Sequence, residues 1–288
     1  MYKYINIYLI LIFQKFFDFF FLGYRLLKRE GKMVVEEIWN FETGKNKRIE
    51  AYTQSKTQEK IYSPAEVRGD GKLAGKYLNK NTLAFITKLE NKNVLTFYLL
   101  DTISGKILKS FIHKNARPPL LIQKFENRIF YFYFNSEKND FQFSSISLFF
   151  KHSLSPKIFS NFQRNLFGIS SLNENEDELH FSNLQNLQFL MKSFYVNSKI
   201  NHFALTQSKQ GITPKNLIIA TSSGSLVALD VSLFDPRRPF VNQTDAIQLA
   251  EGLPIYKSVI EWPSQAILSH KYHVKKKKKL FFTYFFFI

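Results

Sequence analysis

The sequence predicts an all-β protein of antiparallel sheets, preceded by a helical hydrophobic segment at the N-terminus. Short runs rich in β-branched and aromatic residues recur along the chain, and Gly, Asn, Asp and Pro separate them. Strands at about 8–12-residue spacing with such turn signals are typical of a β-sandwich, barrel or propeller. The runs predicted as strands are 83–89, 94–101, 106–113, 120–125, 128–135, 141–150, 200–207, 216–221 and 225–230.

Two of the predicted turns share a pattern of small polar residues and glycine followed by a hydrophobic strand. In the first, Asp101 can hydrogen-bond the turn backbone, and Gly105 can supply a positive φ. The stretch from Thr221 to Gly224, ahead of residues 225–230, reads the same way. This pattern recurs in propeller blades of the quinoprotein-like type, while two ordinary hairpins of any β fold are the alternative.

The two ends differ from the middle in composition. The N-terminal residues 1–34 carry an apolar stretch and then a Phe-rich run broken by Gln14, Lys15 and Asp18. We interpret them as a helical signal or anchor, or as translated non-coding sequence. Residues 274–288, a lysine run with a Phe-rich tail, are interpreted as an intron or reading-frame artefact. The expected division is therefore 1–34, a folded region 35–273, and 274–288.

Two internal segments interrupt the strand pattern. Residues 151–178 are polar and rich in Asn and Ser, which predicts a solvated loop. Residues 184–194 have apolar positions that suggest a short helix entering the second group of strands.

The net charge of +17 does not form a dense basic stripe. Residues 1–34 contribute +4 and the lysine run at 275–279 contributes +5, which leaves +8 over the 240 residues between them. A generic basic surface is therefore favoured over nucleic-acid binding. The chain contains no cysteine, which excludes disulfides, Cys-ligated zinc and thiol nucleophiles.

Known catalytic patterns are absent from the sequence. The glycines at 69, 71 and 75 do not have phosphate-loop spacing, and Tyr77 stands where a magnesium-binding hydroxyl would be needed. His270 and His273 are close in sequence but have no companion ligands. We therefore predict no catalytic, cofactor-binding or metal-binding residues. The sequon at Asn242 is a candidate glycosylation site.

Seven segments of the chain resemble, in order, the C-terminal lumenal region of the family of ER membrane protein complex subunit 1. They are 76–81, 100–107, 126–131, 193–196, 211–219, 233–239 and 251–256. The most specific is Asp235-Pro236-Arg237-Arg238-Pro239 with its two preceding residues. Relative to the family, we expect this sequence to lack a large N-terminal portion and the final strands and membrane helix.

The resemblance implies a partial β-propeller on the lumenal side of the ER membrane. It also implies a non-enzymatic scaffold that contacts the other complex subunits and client proteins, in a complex that inserts transmembrane segments, tail-anchored ones included. Arg237 and Arg238 would then fix a buried turn by paired hydrogen bonds, and a solvent-exposed turn is the alternative. A quinoprotein-like enzyme and a peripheral membrane protein are the competing functions.

Overall fold

The computed structural model describes residues 7–15, 18–29, 32–44, 46–55, 59–61, 63–151, 187–207, 215–241, 251–261 and 267–269. Strands dominate these ranges. In chain order they are β1 (Ile7–Lys15), β2 (Asp18–Arg29), β3 (Lys32–Glu42), β4 (Lys47–Gln54), β5 (Ala65–Val67), β6 (Leu73–Gly75), β7 (Thr82–Leu89), β8 (Val94–Asp101), β9 (Ile107–Lys114), β10 (Ala116–Phe125), β11 (Arg128–Asn135), β12 (Asp140–Phe150), β13 (Leu187–Val196), β14 (Ile200–Leu205), β15 (Asn216–Thr221), β16 (Ser225–Asp230), β17 (Val259–Ile260) and β18 (Ile267–Ser269).

The strands form a series of antiparallel sheets. Sheet 1 has the order β4-β7-β8-β9, sheet 2 β10-β11-β12-β13 and sheet 3 β14-β15-β16-β18. The two-residue strand β17 adds to the outer edge of sheet 2 in parallel orientation. An N-terminal sheet, β1-β2-β3, and a short hairpin, β5-β6, complete the described topology.

The sheets stack face to face through their alternating side chains. On β11, Ile129, Tyr131 and Tyr133 enter the core shared with sheet 1, whereas Phe130 and Phe132 enter the core shared with sheet 3. This alternation follows from the two-residue period of a strand. The first strand of sheet 2, β10, lies beside the first strands of sheets 1 and 3, β4 and β14. Four-stranded sheets stacked with their first strands adjacent are the arrangement of successive propeller blades.

The N-terminal sheet packs against sheet 1 through aromatic side chains. Phe21 contacts Phe85 with ring centroids 4.6 Å apart, and Phe41 lies 5.6 Å from Tyr98. Trp39 donates its indole N–H to the carbonyl of Thr102 at 3.1 Å. The β3 strand also runs across the boundary expected between residues 34 and 35.

The expected helix at the N-terminus is wrong, because residues 7–15 and 18–29 form the antiparallel strands β1 and β2. Gln14, Lys15 and Asp18 interrupt the apolar run of the expected helix. In the structure Lys15 and Asp18 are backbone partners in the β1-β2 register, so these polar residues lie where β1 ends and β2 begins. The aromatic and β-branched residues on either side favour the extended conformation. No helix within the described ranges has the length and apolar character needed to cross a bilayer.

The short helix expected at residues 184–194 is also wrong. Residues Leu187–Val196 form β13, which pairs along its whole length with β12. The pairing sets Phe194 beside Phe143 in the buried core. Tertiary packing thus decided the structure of a segment whose apolar spacing fits both a helix and a strand. The expected loop lies outside the described residues from position 152 onward.

The predicted strands of the middle are confirmed. Strands β8, β11, β15 and β16 begin and end at the expected residues. The expected turn chemistry is present too: Asp101 Oδ1 accepts the N–H of Ile103 at 3.1 Å, and Gly105 has a φ of 70°.

Candidate functional site

The segment Asp235–Pro239 is a buried turn at the end of sheet 3. It follows a 3-10 helix, Val231–Phe234, which continues directly from β16. Asp235 Oδ1 accepts the backbone N–H of Arg237 at 2.9 Å, and the backbone N–H of Arg238 donates to the Asp235 carbonyl at 3.2 Å. Aspartate first and proline second are favoured in a type I turn. Asp235 is 1% exposed and Arg238 is 3% exposed.

Arg238 fixes this turn to a distant stretch of the chain. Its Nε donates to the carbonyl of Pro254 at 2.9 Å, and its Nη2 donates to the carbonyl of Ile255. Its Nη1 donates to the carbonyl of Leu233 at 2.5 Å. Burial lowers the pKa of Arg238, and these three acceptors are neutral carbonyls. One guanidinium thereby holds residues 254–255 against the 3-10 helix.

Arg237 and Arg128 share two carboxylates. Arg128 Nη2 lies 2.7 Å from Asp235 Oδ2 and 3.2 Å from Glu66 Oε1. Arg237 Nη2 lies 3.0 Å from the same Asp235 oxygen and also donates to Glu66 Oε2. Because Glu66 lies on β5 and Arg128 on β11, the pairs tie the β5-β6 hairpin and sheet 2 to the turn after sheet 3.

Further ion pairs continue from Glu66. Lys76 Nζ lies 3.5 Å from Glu66 Oε1 and 3.0 Å from Glu126 Oε2. The other oxygen of Glu126 is 3.0 Å from Lys215 Nζ, which is 3.6 Å from Glu59. We call these residues the ion network: Glu59, Glu66, Lys76, Glu126, Arg128, Lys215, Asp235, Arg237 and Glu251. None of their side chains is more than 18% exposed.

The charges of the ion network stabilise one another. Burial by itself would raise the pKa of Asp235, but the guanidinium groups of Arg128 and Arg237 outweigh it and lower the pKa to about 2. Burial would likewise lower the pKa of Arg237, yet Asp235, Glu66 and Glu251 raise it. Of the three carboxylates that Arg237 pairs with, Glu251 has the weakest geometry. Arg237 Nη1 and Glu251 Oε2 are 3.2 Å apart, but neither atom makes a hydrogen bond.

The ion pairs of this network are better suited to holding the sheets together than to catalysing a reaction. A carboxylate paired with an arginine is held ionised, so it is a poor proton shuttle near neutral pH. A buried pair that loses one partner leaves an uncompensated charge, at a cost of about 3–5 kcal/mol. Across the described part of the chain, no three His, Cys, Asp or Glu side chains group closely enough to hold a metal ion.

Another buried basic side chain, outside the ion network, lies between sheets 1 and 2. Lys124 Nζ donates to Ser55 Oγ at 2.7 Å, to the carbonyl of Asn79 at 2.9 Å and to Thr82 Oγ1. Burial lowers the pKa of Lys124 to about 7, against the opposing effect of the Glu59 carboxylate. Lys124 borders a cavity of about 310 Å³ between the first strands of the three sheets, lined also by Thr53, Gln54, Leu121, Ile122, Gln123, His202 and Phe203.

Comparison with known families accounts for the fold. A family model described as ER membrane protein complex subunit 1, second beta-propeller, matches residues 6–284. The chain belongs to this family. The expected family and the propeller fold are both confirmed.

Curated members of the ER membrane protein complex subunit 1 family are distant in sequence. The Xenopus laevis subunit is 27% identical over 224 residues, covering 74% of this chain and 20% of its own length. The Gallus gallus subunit is 28% identical over 223 residues, covering 75% and 20%. This chain thus spans about a fifth of these relatives. A crystal structure of an uncharacterized Listeria monocytogenes protein covers 77% of this chain and 59% of its own, at 12% identity and a TM-score of 0.27.

The segments that carry the resemblance to the subunit 1 family converge on the ion network. Lys76 opens one segment, Glu126 and Arg128 lie in another, and Glu251 opens a third. The segment 233–239 contributes Asp235 and Arg237. The segment 211–219 contributes Lys215. The structure therefore brings together residues from five segments that are distant in sequence. Sequence reasoning singled out only the segment 233–239, because an isolated Lys, Glu or Arg gives no local signal of an ion pair.

Three of the residues considered from the sequence lie outside the described ranges. They are Asn242, His270 and His273. The rejected phosphate loop around residues 69–77 forms the tip of the β5-β6 hairpin and the chain that leaves it, where Tyr77 is buried.

Proposed function

We propose that this chain is a non-catalytic scaffold part of ER membrane protein complex subunit 1. In this proposal it lies on the lumenal side of the ER membrane. There it contacts other subunits of the complex and client proteins, and it supports the insertion of transmembrane segments, tail-anchored ones included. The observation that carries the proposal is the convergence of the family segments on buried ion pairs.

The alternative of a quinoprotein-like enzyme requires charged groups that converge on a bound ligand. In the ion network the charged groups converge on one another. Arg238 likewise directs its three hydrogen bonds within the described residues to backbone carbonyls. Side chains engaged in this way support a role in holding sheets together, and this favours contact over catalysis.

The test uses the full-length subunit with Arg237 and Arg238 both replaced by Ala. We expect loss of co-purification of the other complex subunits. Removing Arg237 from its buried ion pairs costs on the order of 2–5 kcal/mol, and removing Arg238 leaves three backbone carbonyls without their donor. The matched control replaces two exposed arginines, Arg48 and Arg117, by Ala. Exposed charges contribute about 0–1 kcal/mol, so assembly should persist. Normal assembly of the Arg237→Ala/Arg238→Ala subunit would count against the scaffold role.

Insertion activity needs its own measurement. A tail-anchored reporter with a C-terminal glycosylation sequon is modified only when its tail reaches the lumen. We expect the Arg237→Ala/Arg238→Ala subunit to reduce reporter glycosylation in proportion to its loss from the complex. Full insertion without the assembled subunit would refute the insertion part of the proposal.

Lumenal location is tested at Asn242. The chain is expressed behind a signal sequence and treated with an endoglycosidase, with Asn242→Gln as the control. We expect a mobility shift that the control lacks. Equal mobility of the two proteins, beside a glycosylated standard, would contradict lumenal accessibility of this residue.

A further inference from the structure

The outer edge of β13 is only partly covered by described residues. The backbone N–H of Tyr195 donates outward to the carbonyl of Ser258 at 2.7 Å. The carbonyl of Ser193 also faces outward, where it accepts the hydroxyl of Tyr256 at 2.6 Å. Outward-facing groups alternate along a strand paired on one side, so Phe189 and Met191 direct their N–H and C=O groups outward as well.

No described residue pairs with this edge before Ser193. The only strand recorded beside it is β17, which meets β13 at Tyr195 and Val196 and nowhere else within the described ranges. The edge thus already accepts an added strand at its C-terminal end. An unpaired row of backbone donors and acceptors next to it is a template for another strand.

The flanking side chains give this edge a positive character on both faces. On the face toward sheet 1, Lys109 Nζ lies 5.7 Å from the ring centroid of Phe189. On the opposite face, Lys192 Nζ lies 4.1 Å from the Phe240 ring. Met191 between them is 41% exposed. Since neighbouring residues of a strand point to opposite faces, a strand with two adjacent carboxylates could reach both lysines.

We propose that residues 187–191 of β13 receive an extended acidic segment of another subunit as an added strand. This inference rests on the proposed function for the identity of the partner, but its physical basis is the edge itself. Backbone hydrogen bonds supply the attachment, and the two lysines select acidic residues over basic ones.

The test measures binding of a labelled peptide to the 288-residue chain by fluorescence anisotropy. The peptide consists of valine and threonine with a central pair of adjacent glutamates, and the control peptide has lysines in place of the glutamates. We expect saturable binding of the acidic peptide only. Equal binding of both peptides, or no saturable binding of the acidic one, would overturn the proposal. The second outcome would mean that the edge is closed in the chain itself.

Two substitutions at one position isolate the backbone contribution. Met191→Pro removes an N–H that faces outward, so the β12-β13 ladder keeps its hydrogen bonds. Met191→Thr removes the same side chain but keeps the N–H. We expect Met191→Pro to weaken peptide binding about tenfold or more relative to Met191→Thr, with unchanged circular dichroism. Equal affinities in the two folded variants would refute strand addition. The peptide measurements use only the isolated chain, whereas the proposed function is tested by co-purification of the complex. A negative peptide result therefore refutes strand addition without refuting the scaffold role.

Discussion

Arg128 and Asp235 form a buried ion pair of 2.7 Å although 107 positions separate them in the chain. Arg128 belongs to sheet 2, and Asp235 follows the last predicted strand of sheet 3. The pair therefore forms only when the two sheets have stacked. The contribution of this pair should be measurable as a part of the free energy of unfolding of the stacked sheets.

Replacing Asp235 by Asn should destabilise the fold by about 3 kcal/mol. The substitution keeps the shape of the side chain but leaves Arg128 and Arg237 with Glu66 as their shared carboxylate. The free energy of unfolding is measured by urea denaturation. Asp70→Asn is the matched control, because Asp70 is exposed and pairs with an exposed Lys72. A loss no larger than that of the control would show that the buried pair contributes little.

The same carboxylate should make the chain sensitive to acid in a narrow window. The folded pKa of Asp235 is about 2, below its ordinary value of 3.8. The folded state therefore binds fewer protons, and the stabilisation is present above pH 4 and disappears as pH falls toward 2. The size expected is roughly 2 kcal/mol. The free energy of unfolding is measured by urea denaturation at pH 5 and pH 2.5 for the wild type and for Asp235→Asn. Between these two pH values the wild type should lose more stability than Asp235→Asn, by about this amount. Equal losses in the two proteins would contradict the low pKa of Asp235.

The sequence predicted the middle of the fold because its signals are local. Residues 94–101 are rich in β-branched and aromatic residues and are followed by a turn with Asp101 and Gly105, so no distant information is needed to place β8. The segment 187–196 shows the opposite case. Its strand exists because β12 lies beside it, and the sequence of the segment alone fits a helix as well.

The candidate site was predictable only in part for the same reason. Asp235 and Arg237 belong to one short segment with recognisable turn chemistry. Their partner Glu66 lies 171 positions from Arg237, on a three-residue strand that no periodicity could identify. Pairs at such separation become visible only when the sheets are stacked.

The aromatic core between sheets 2 and 3 should depend strongly on Phe234. This ring is fully buried, and its centroid lies 4.8 Å from Phe143 and 5.6 Å from Phe194. Phe234→Ala should cost about 3–5 kcal/mol, because it removes buried apolar area and leaves a cavity. Phe240→Ala is the matched control, since Phe240 is 45% exposed. Equal urea midpoints for the two variants would contradict the packing described.

A histidine between sheets 1 and 2 leads to the last prediction. His113 on β9 contacts two buried tyrosines of β11: its Nε2 is 2.9 Å from the Tyr131 hydroxyl, and its Nδ1 is 3.3 Å from the Tyr133 hydroxyl. Tyr133 donates its own proton to Gln142 Oε1 at 2.6 Å. The Tyr133 oxygen can therefore only accept from His113, which assigns the proton of the neutral imidazole to Nδ1. Burial lowers the pKa of His113 to about 4.

This pKa predicts a second acid-sensitive window, separate from that of Asp235. The unfolded chain binds a proton on His113 near pH 6.5, whereas the folded chain does so near pH 4. The contribution of His113 to the free energy of unfolding is therefore fully present above pH 6.5, and roughly 3 kcal/mol of it is lost as the pH drops to 4. In His113→Gln the slope between pH 6.5 and 4 should be smaller, while His202→Gln on exposed β14 should leave it unchanged. Urea denaturation across this range measures both slopes. An unchanged slope in His113→Gln would show that His113 is not the group that titrates.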